Sequence, residues 1–475
     1  MDIAIINSIL LTFENKNLGI IDNGGLGINE NKISYVGPMK KFDYSNADVV
    51  IDGKGMITMP GLINVHFHSG LTLLRGAAQD LPEIEWMNKG IAPFSSHLRD
   101  TDRILGSKLG VLEGVQTGTT TFAEFSTDVR KLVEEVYLPL GVRVVATETI
   151  NEVSNKRSKL KPNELYKFNK SKGEKGIKKT NELFKEYENS DLVSCMYGPQ
   201  ALDMISLDLL STIKDLSEEN KSRIHMHIAQ GERERLQIKR RYGTDASTVS
   251  VLNDNKLLDN NLIAAHIHDT TESERELMVQ KGVKMASCQS SIATIDGIVP
   301  PLHHYTDIGG IAGLGTDQAP GPGNHNMFRE MRSASVFGKI LHRDPTILPA
   351  WQVLEMATIG GAKVLGLEDK IGSLKEGKQA DVITFDLQNL NMTPWIFKPF
   401  HNFIPNLVHS SNGTEVANVI INGKIIYKSN EFTSFDFFKL YDAANRHARR
   451  IYHDSEKDWR KANSQMVKSV DEGWL

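Results

Sequence analysis

Short apolar runs alternate with longer amphipathic stretches through the middle of the chain. Eight runs of four to six residues are each followed by a segment with helical periodicity: residues 62–65, 119–123, 142–147, 192–197, 224–228, 262–266, 283–286 and 310–314. Continuous apolar runs of this length are typical of strands buried on both faces, as in a parallel sheet. The pattern predicts an α/β fold whose residues 59–368 form a TIM-like (β/α)8 barrel, with a doubly wound open sheet as the alternative.

The two ends of the chain have a different pattern. Residues 1–58 contain short apolar stretches separated by Asn/Gly-rich turns, without a segment of helical period. Strand-like runs return at residues 380–386 and 415–427, the second around the dipeptide Asn422-Gly423, which is typical of a tight hairpin turn. We expect residues 1–58 and 369–429 to combine into one small β-sandwich domain, although they are far apart in sequence.

The last segment, residues 430–475, is charged and aromatic, and Phe435, Phe438, Tyr441 and Ala444 follow helical spacing. We expect a C-terminal helical extension, most simply a packed pair of helices, with partner binding as the alternative. The N-terminus lacks a basic flank and a cleavage site, and no apolar run approaches the ~20 residues that cross a bilayer. The cytoplasm is therefore the expected location.

Composition indicates an ordinary folded protein with no affinity for polyanions. Hydrophobic residues make up 40% and charged residues 24% of the 475 residues, and 55 Lys+Arg against 59 Asp+Glu give a net charge of −4. We therefore expect neither nucleic acid nor a membrane as partner. Residues 156–185 depart from the average with eleven Lys/Arg and three Glu, which favours a solvated loop and helix surface over a phosphate-binding arm.

Cysteine usage restricts the kind of metal site that the chain can build. Cys195 and Cys288 are the two cysteines of the sequence, too few for a disulfide framework or a thiolate zinc cluster. A metal ion would have to be bound by histidine and carboxylate.

Histidines occur two residues apart at the ends of three predicted strands. The pairs are His66 and His68, His225 and His227, and His266 and His268. Residues two apart on a strand project from the same face, and the C-terminal ends of barrel strands converge on one site. We expect five side chains to meet there: His66, His68, His227, His266 and Asp317, the last of which follows the eighth predicted strand. Three neutral imidazoles and one carboxylate satisfy a divalent ion and leave one position for water.

At these residues the chain resembles the amidohydrolase superfamily, in particular its mononuclear aminohydrolase branch. That branch includes adenosylhomocysteine/methylthioadenosine deaminases, triazine hydrolases and N-ethylammeline chlorohydrolase-related proteins. The matching stretches are residues 60–68, 73–86, 225–230, 264–268, 313–320 and 371–382. The resemblance covers about residues 1–430, and its motifs are specific for the superfamily but much less so for the substrate.

The resemblance implies that one metal ion is bound by His66, His68, His227 and Asp317. His266 would lie beside the ion and contact its water or a substrate atom. Two-metal relatives carry a bridging lysine at the end of the fourth strand, and residues 192–197 contain none. The donor set fits zinc, with iron(II) as the alternative.

The chemistry implied by the resemblance is hydrolysis by metal-activated water. Asp317 would accept the water proton, and His266 would stabilise charge on the attacked centre. Three positions depart from the deaminase pattern: Gln230 replaces the proton-donating glutamate, Gln200 replaces a histidine, and Ser95 replaces a glutamate that binds ribose hydroxyls. Together they argue against a nucleoside deaminase of the familiar kind.

Three functions remain open at this point. The first is a hydrolase of a non-peptide carbon–nitrogen bond in a small N-heterocycle or amidine, on which Trp86 stacks unless it is a core residue. The second is a hydrolase that displaces chloride or another good leaving group from a triazine-like ring. The third is a barrel that binds or assembles without catalysis, against which the intact ligand set argues. The resemblance also implies a homodimer or homotetramer with a small-molecule substrate.

Overall fold

The computed structural model describes residues 1–14, 17–153, 160, 164–433 and 435–475. Most strands of this part of the chain belong to two large sheets. The strands are β1 (Ile3–Leu11), β2 (Ile20–Asn29), β3 (Lys32–Pro38), β4 (Val49–Asp52), β5 (Met56–Pro60), β6 (Leu62–His68), β7 (Thr119–Ser126), β8 (Arg143–Ile150), β9 (Val193–Pro199), β10 (Ile224–Ile228), β11 (Leu262–His266), β12 (Lys284–Ser287), β13 (Ile311–Leu314), β14 (Asp317–Gln318), β15 (Val382–Asp386), β16 (Val416–Ile421), β17 (Lys424–Lys428) and β18 (Glu431–Phe432).

Among the described residues, the first fifteen α-helices follow strands β6 to β14, and the last three follow β15 and β18. They are α1 (Glu83–Glu85), α2 (Ala92–Ser95), α3 (Asp100–Gln116), α4 (Val129–Leu132), α5 (Leu138–Leu140), α6 (Lys170–Glu186), α7 (Leu207–Glu219), α8 (Glu232–Tyr242), α9 (Thr248–Asp254), α10 (Glu272–Gln280), α11 (Gln289–Ile295), α12 (Leu302–Asp307), α13 (Met327–His342), α14 (Ala350–Met356), α15 (Ile359–Leu365), α16 (Phe403–His409), α17 (Phe437–Ala462) and α18 (Gln465–Asp471). None of the helices in these ranges is long and apolar enough to span a bilayer.

The barrel is a ring of parallel strands. Strands β6 to β13 are neighbours in sequence order, and β14 pairs with β6. Only two residues separate the end of β13 from the start of β14, so the pairing of β14 with β6 closes the ring. Each of the eight predicted runs lies in or overlaps one of these strands, which confirms the α/β class and the TIM-like barrel.

The apolar runs are continuous because both faces of each barrel strand are buried. Ile63, Val65 and Val145 belong to the cluster inside the ring, whereas Leu62 and Val144 pack in the outer core with the helices. A strand with only one covered face would show alternation instead.

The second sheet is mixed and joins the two ends of the chain. Strand β5 pairs in parallel with β1 and antiparallel with β15, so that Met59 lies opposite Ile383. The predicted hairpin is present as β16 and β17, which turn at Asn422-Gly423. Arg143 at the start of β8 donates to Asp381 just before β15, with N–O distances of 2.5 and 3.0 Å. This buried ion pair connects the mixed sheet to the barrel.

The C-terminal segment contains the helices α17 and α18, and the residues that follow helical spacing in it are partly buried and partly exposed. Leu440, Ala444 and Ile451 are buried, whereas Phe438 is 78% and Tyr441 56% exposed. The helix α17 packs on α2 and α3, which sets the face that turns inward. Spacing alone indicated a helix but not its rotation about the axis.

The Lys-rich segment is described in part. Residues 154–159 and 161–163 lie outside the described residues, whereas 170–185 belong to α6. In α6 the small residues Gly173 and Gly176 and the apolar Leu183 face the core.

Candidate metal centre

Three histidines converge at the C-terminal end of the barrel. His66 and His68 lie at the C-terminal end of strand β6, and His227 lies in strand β10. The Nε2 atom of His68 lies 3.2 Å from Nε2 of His66 and 3.4 Å from Nε2 of His227. One ligand atom from each of the three lies within 4.8 Å of the other two.

These distances fit a shared ion. Nitrogens bound at ~2.0–2.1 Å in a tetrahedron are roughly 3.3 Å apart. Two neutral imidazoles whose acceptor nitrogens face each other repel, so a cation between them explains the arrangement better than mutual hydrogen bonds do.

The second nitrogen of each ring is held by a partner, which leaves Nε2 toward the centre. His68 Nδ1 donates to the carbonyl of Phe125 at 2.5 Å, and His227 Nδ1 donates to the carbonyl of Gln200 at 2.7 Å. His66 Nδ1 lies 2.9 Å from Nε2 of His225. Partners of this kind fix the tautomer and the orientation of metal-binding imidazoles.

Burial keeps His66 and His227 neutral. It lowers the pKa of His66 and of His227 well below the usual range, and neighbouring histidines lower both further. His68 is more accessible, with 20% of its side chain exposed, so the centre opens to solvent on this side. Neutral imidazole is the form that binds a metal ion.

Asp317 adds a carboxylate to the centre. Its Oδ1 lies 3.6 Å from Nε2 of His68 and 3.9 Å from Nε2 of His66, and Ser291 donates to Oδ2 at 2.6 Å. The carboxylate therefore presents one oxygen to the imidazoles and keeps the other in a hydrogen bond. Gly315 permits this approach, because a Cβ there would lie 2.8 Å from the backbone nitrogen of His66.

His266 lies beside the same centre. Its ring centroid is 5.1 Å from that of His66 and 5.4 Å from that of His227, and its Nδ1 is buried without a partner among the described residues. Burial lowers the pKa of His266 well below its usual range. A neutral ring in this place can exchange one hydrogen bond with a bound molecule.

The two glutamines differ in their contacts. Gln200 contributes its backbone carbonyl to His227, while its side-chain Oε1 accepts from Asn151 at 2.7 Å. The backbone nitrogen of Gln230 donates to Glu234 at 2.9 Å, and its Nε2 is buried with no partner within the described ranges. The amide of Gln230 is thus a donor that a bound molecule could use.

Ser95 and Trp86 have local contacts. Ser95 Oγ donates to the carbonyl of Ala92 in its own helical turn at 3.4 Å. Trp86 is 5% exposed and packs with Leu81 and Ile295, and no described residue bonds to its Nε1. Neither arrangement tests the predicted role in a substrate pocket, so both remain predictions.

His225 contacts His66, and Ser291 donates to Asp317. Neither residue was predicted from the sequence to have a role in the site. His225 is two residues before His227 on the same strand and therefore projects from the same face, a signal that the sequence contained. The Ser291–Asp317 bond joins separate β/α units and has no counterpart in local sequence.

Comparisons with known proteins identify the family and the fold of the chain. The Amidohydrolase family profile matches residues 57–426 of the chain. A 5-methylthioadenosine/S-adenosylhomocysteine deaminase from Halothermothrix orenii is 34% identical over 457 residues, covering 95% of the chain and 100% of the relative.

Two solved structures show the same fold. A zinc-bound adenosine deaminase from Xanthomonas campestris superposes with a TM-score of 0.86 at 24% identity, covering 95% of this chain and 99% of its own. The zinc complex of an atrazine chlorohydrolase from Arthrobacter aurescens TC1 has a TM-score of 0.82 at 20% identity, covering 94% and 100%.

Proposed function

The chain belongs to the amidohydrolase family, and we propose that it is a hydrolase that releases an amino group from a small nitrogen heterocycle or amidine. The observation that carries this proposal is the convergence of three Nε2 atoms and one Asp317 oxygen at the end of the barrel. Such a donor set, with its other ring nitrogens already engaged, fits one divalent ion.

We propose that His66, His68, His227 and Asp317 hold this ion. The zinc in the two solved structures and the His-rich donor set favour zinc over iron(II). When bound, a divalent ion of this kind supplies Lewis acidity that lowers the pKa of a coordinated water from ~15.7 toward ~7.

The other steps belong to side chains of this chain. Asp317 Oδ1 accepts the proton that the attacking water loses, while Ser291 holds Oδ2. His266 exchanges a hydrogen bond with the substrate atom that gains charge, for which its buried Nδ1 is available. Burial of both residues strengthens these interactions, because little water competes with them.

The substrate differs from that of a standard nucleoside deaminase under this proposal. An amide at Gln230 donates a hydrogen bond but cannot deliver a proton, and general acid catalysis contributes about 10²–10⁴ in rate. Gln200 and Ser95 also replace groups that would bind a purine nucleoside. We therefore propose a heterocycle whose amino group leaves with little help, or is protonated by Asp317.

A second candidate is displacement of chloride, which leaves without protonation. The amide of Gln230 suits this reaction equally well, and one structural neighbour is named an atrazine chlorohydrolase. The identity of the released product separates the two candidates.

We propose further that the protein is a cytoplasmic homodimer or homotetramer. The division into residues 1–58 with 369–429, residues 59–368 and residues 430–475 is likewise proposed, with the two sheets as support.

An ammonia-release screen of the zinc-loaded protein tests the proposed reaction. Purines, pterins, triazines and guanidino compounds are each incubated with the protein, beside a chloride assay with chlorinated triazines. Ammonia from at least one compound, lost on Asp317→Asn, supports the first candidate. Chloride without ammonia supports the second, and neither product from any compound contradicts both.

A further inference from the structure

A second group of polar side chains lies next to the metal centre and includes none of its ligands. We call Glu83, His268 and Asp296 the acidic rim. His268 follows strand β11, and its ring centroid is 6.3 Å from that of His266. Asp296 Oδ2 lies 3.7 Å from His268 Nε2.

Gly231 brings the third member close to the other two. A Cβ at this position would lie 3.1 Å from Oε2 of Glu83 and 3.4 Å from Nε2 of His268, so both side chains border the space that the missing Cβ leaves. Gly231 has φ +121, a backbone conformation that L-residues rarely adopt. The absence of a side chain at residue 231 thus lets the Glu83 carboxylate and the His268 imidazole approach the same stretch of backbone closely.

Polar side-chain atoms of His268 and of two residues close to the rim in sequence lack hydrogen-bond partners among the described residues. Both ring nitrogens of His268 are buried and make no hydrogen bond within the described residues, and its side chain is 1% exposed. Nε2 of the neighbouring Gln230 and Nε1 of Trp86 are also buried and unpaired. Buried polar groups without partners are costly, and a polar ligand that reached His268 would remove this cost.

The charges of the rim do not balance. Arg233 lies 3.2 Å from Oε1 of Glu83 and also pairs with buried Asp203, so one guanidinium serves two carboxylates. Arg235 forms an ion pair with Asp269, with an N–O distance of 2.6 Å. Asp296 has no cationic partner in the part of the chain that the structure describes, although 11% of its side chain is exposed.

We propose that the acidic rim binds a positively charged, nitrogen-rich group of the substrate, such as an amidinium or guanidinium. This proposal rests on the proposed function and names the substrate class of the same site. Asp296 accepts N–H bonds from the planar cation, and the neutral ring of His268 accepts a further one. Burial, with Glu83 and Asp317 nearby, raises the pKa of Asp296 to about 7, so a bound cation relieves an unfavourable negative charge.

Three probes of similar shape and different charge test the rim. Benzamidine is a cation at pH 8, benzamide is neutral and benzoate is an anion, and each is titrated by calorimetry into zinc-loaded and metal-free protein. We expect benzamidine to bind at least about tenfold more tightly than benzamide. The preference should persist without zinc, because no rim residue is a metal ligand.

Asp296→Asn is the diagnostic variant, and its thermal midpoint is measured to show that it folds. It should reduce the preference for benzamidine to about two- to threefold or less. Asp307→Asn, which changes an exposed acid at the end of helix α12, should leave it intact. Equal binding of benzamidine and benzamide by the native protein, a preference for benzoate, or an unchanged preference in Asp296→Asn would overturn the proposal.

The outcome is distinguishable from failure of the proposed function. If the protein prefers benzamidine but hydrolyses none of the screened compounds, the cation site is supported and the proposed reaction is contradicted. If the protein releases ammonia from neutral heterocycles without preferring benzamidine, the proposed reaction is supported and the cation site is contradicted.

Discussion

Nδ1 of His66 lies 2.9 Å from Nε2 of His225. Because Nε2 of His66 faces the metal centre, its Nδ1 carries the hydrogen and donates, so Nε2 of His225 is the acceptor. The hydrogen of His225 is then on Nδ1, which is buried without a partner among the described residues. Burial, with His68 nearby, lowers the pKa of His225 to about 3, so this ring stays neutral and keeps the lone pair that His66 requires.

Replacing His225 should therefore weaken metal binding without removing a ligand. His225→Ala should lower zinc affinity by about 10–100-fold, the usual effect of losing a partner behind a ligand. His225→Gln supplies an acceptor oxygen and should recover part of the loss. Competition with a chromophoric chelator measures both, with the exposed His453→Ala as control. Unaltered affinity in His225→Ala would show that His66 needs no such partner.

Asp317→Asn should abolish turnover while the three imidazoles still bind zinc. The amide cannot accept the water proton, and the expected loss in kcat is at least about 10²-fold. Steady-state rates and zinc content are measured on the same preparation. A fully active, zinc-loaded variant would refute the assignment of Asp317 as base.

Gln230→Glu should add the missing acid. With substrates of the adenosine type, we expect the rate of ammonia release to rise by about 10² or more, since a carboxylic acid can protonate a ring nitrogen and an amide cannot. Gln280→Glu, at the exposed end of helix α10, is the control. If both variants behave like the native protein, the identity of residue 230 does not limit these substrates.

Asp296 should make stability depend on pH. Burial raises its pKa from 3.8 to about 7, with contributions from Glu83 and Asp317, and it also faces neutral His268. The folded state then binds a proton more tightly than the unfolded state, so this residue lowers stability as pH rises from about 4 to 7. Asp296→Asn should raise the thermal midpoint relative to native protein more at pH 8 than at pH 4.5. A difference independent of pH would contradict this titration.

The pair Arg143–Asp381 should matter for stability and not for chemistry. Side-chain exposures of 6% and 2% indicate that Asp381→Ala leaves a buried guanidinium without its carboxylate, which costs about 3–5 kcal/mol although the carbonyl of Asp191 still accepts from Arg143. Glu85→Gln breaks an exposed pair with Lys89 and should cost at most about 0.5 kcal/mol. Urea unfolding measures both, and a small effect of Asp381→Ala would mean that the junction tolerates the loss.

The barrel and its histidines could be predicted because both depend on local periodicity. Apolar runs of strand length indicate the ring, and a spacing of two residues puts His66 and His68 on one face wherever the strand lies. Parallel strands then bring distant histidines together by topology alone.

The acidic rim could not be predicted in the same way. Glu83 and Asp296 come from segments after different strands, and His268 lies beyond the end of strand β11, where the period of two no longer applies. The reason for a glycine at position 231 is evident only when the side chains that approach it, those of Glu83 and His268, are known. Similarly, the exposed face of helix α17 depends on what it packs against, and helical spacing alone does not show that Phe438 and Tyr441 lie on that face.

Metal stoichiometry tests the central claim most directly. Zinc and iron are measured by plasma mass spectrometry on native protein after incubation with zinc and dialysis, beside His68→Ala and the exposed control His453→Ala. We expect about one zinc ion per chain in the native protein and in His453→Ala, and much less than one zinc ion per chain in His68→Ala. Native protein that retains no ion, or His68→Ala that retains as much as native protein, would contradict it.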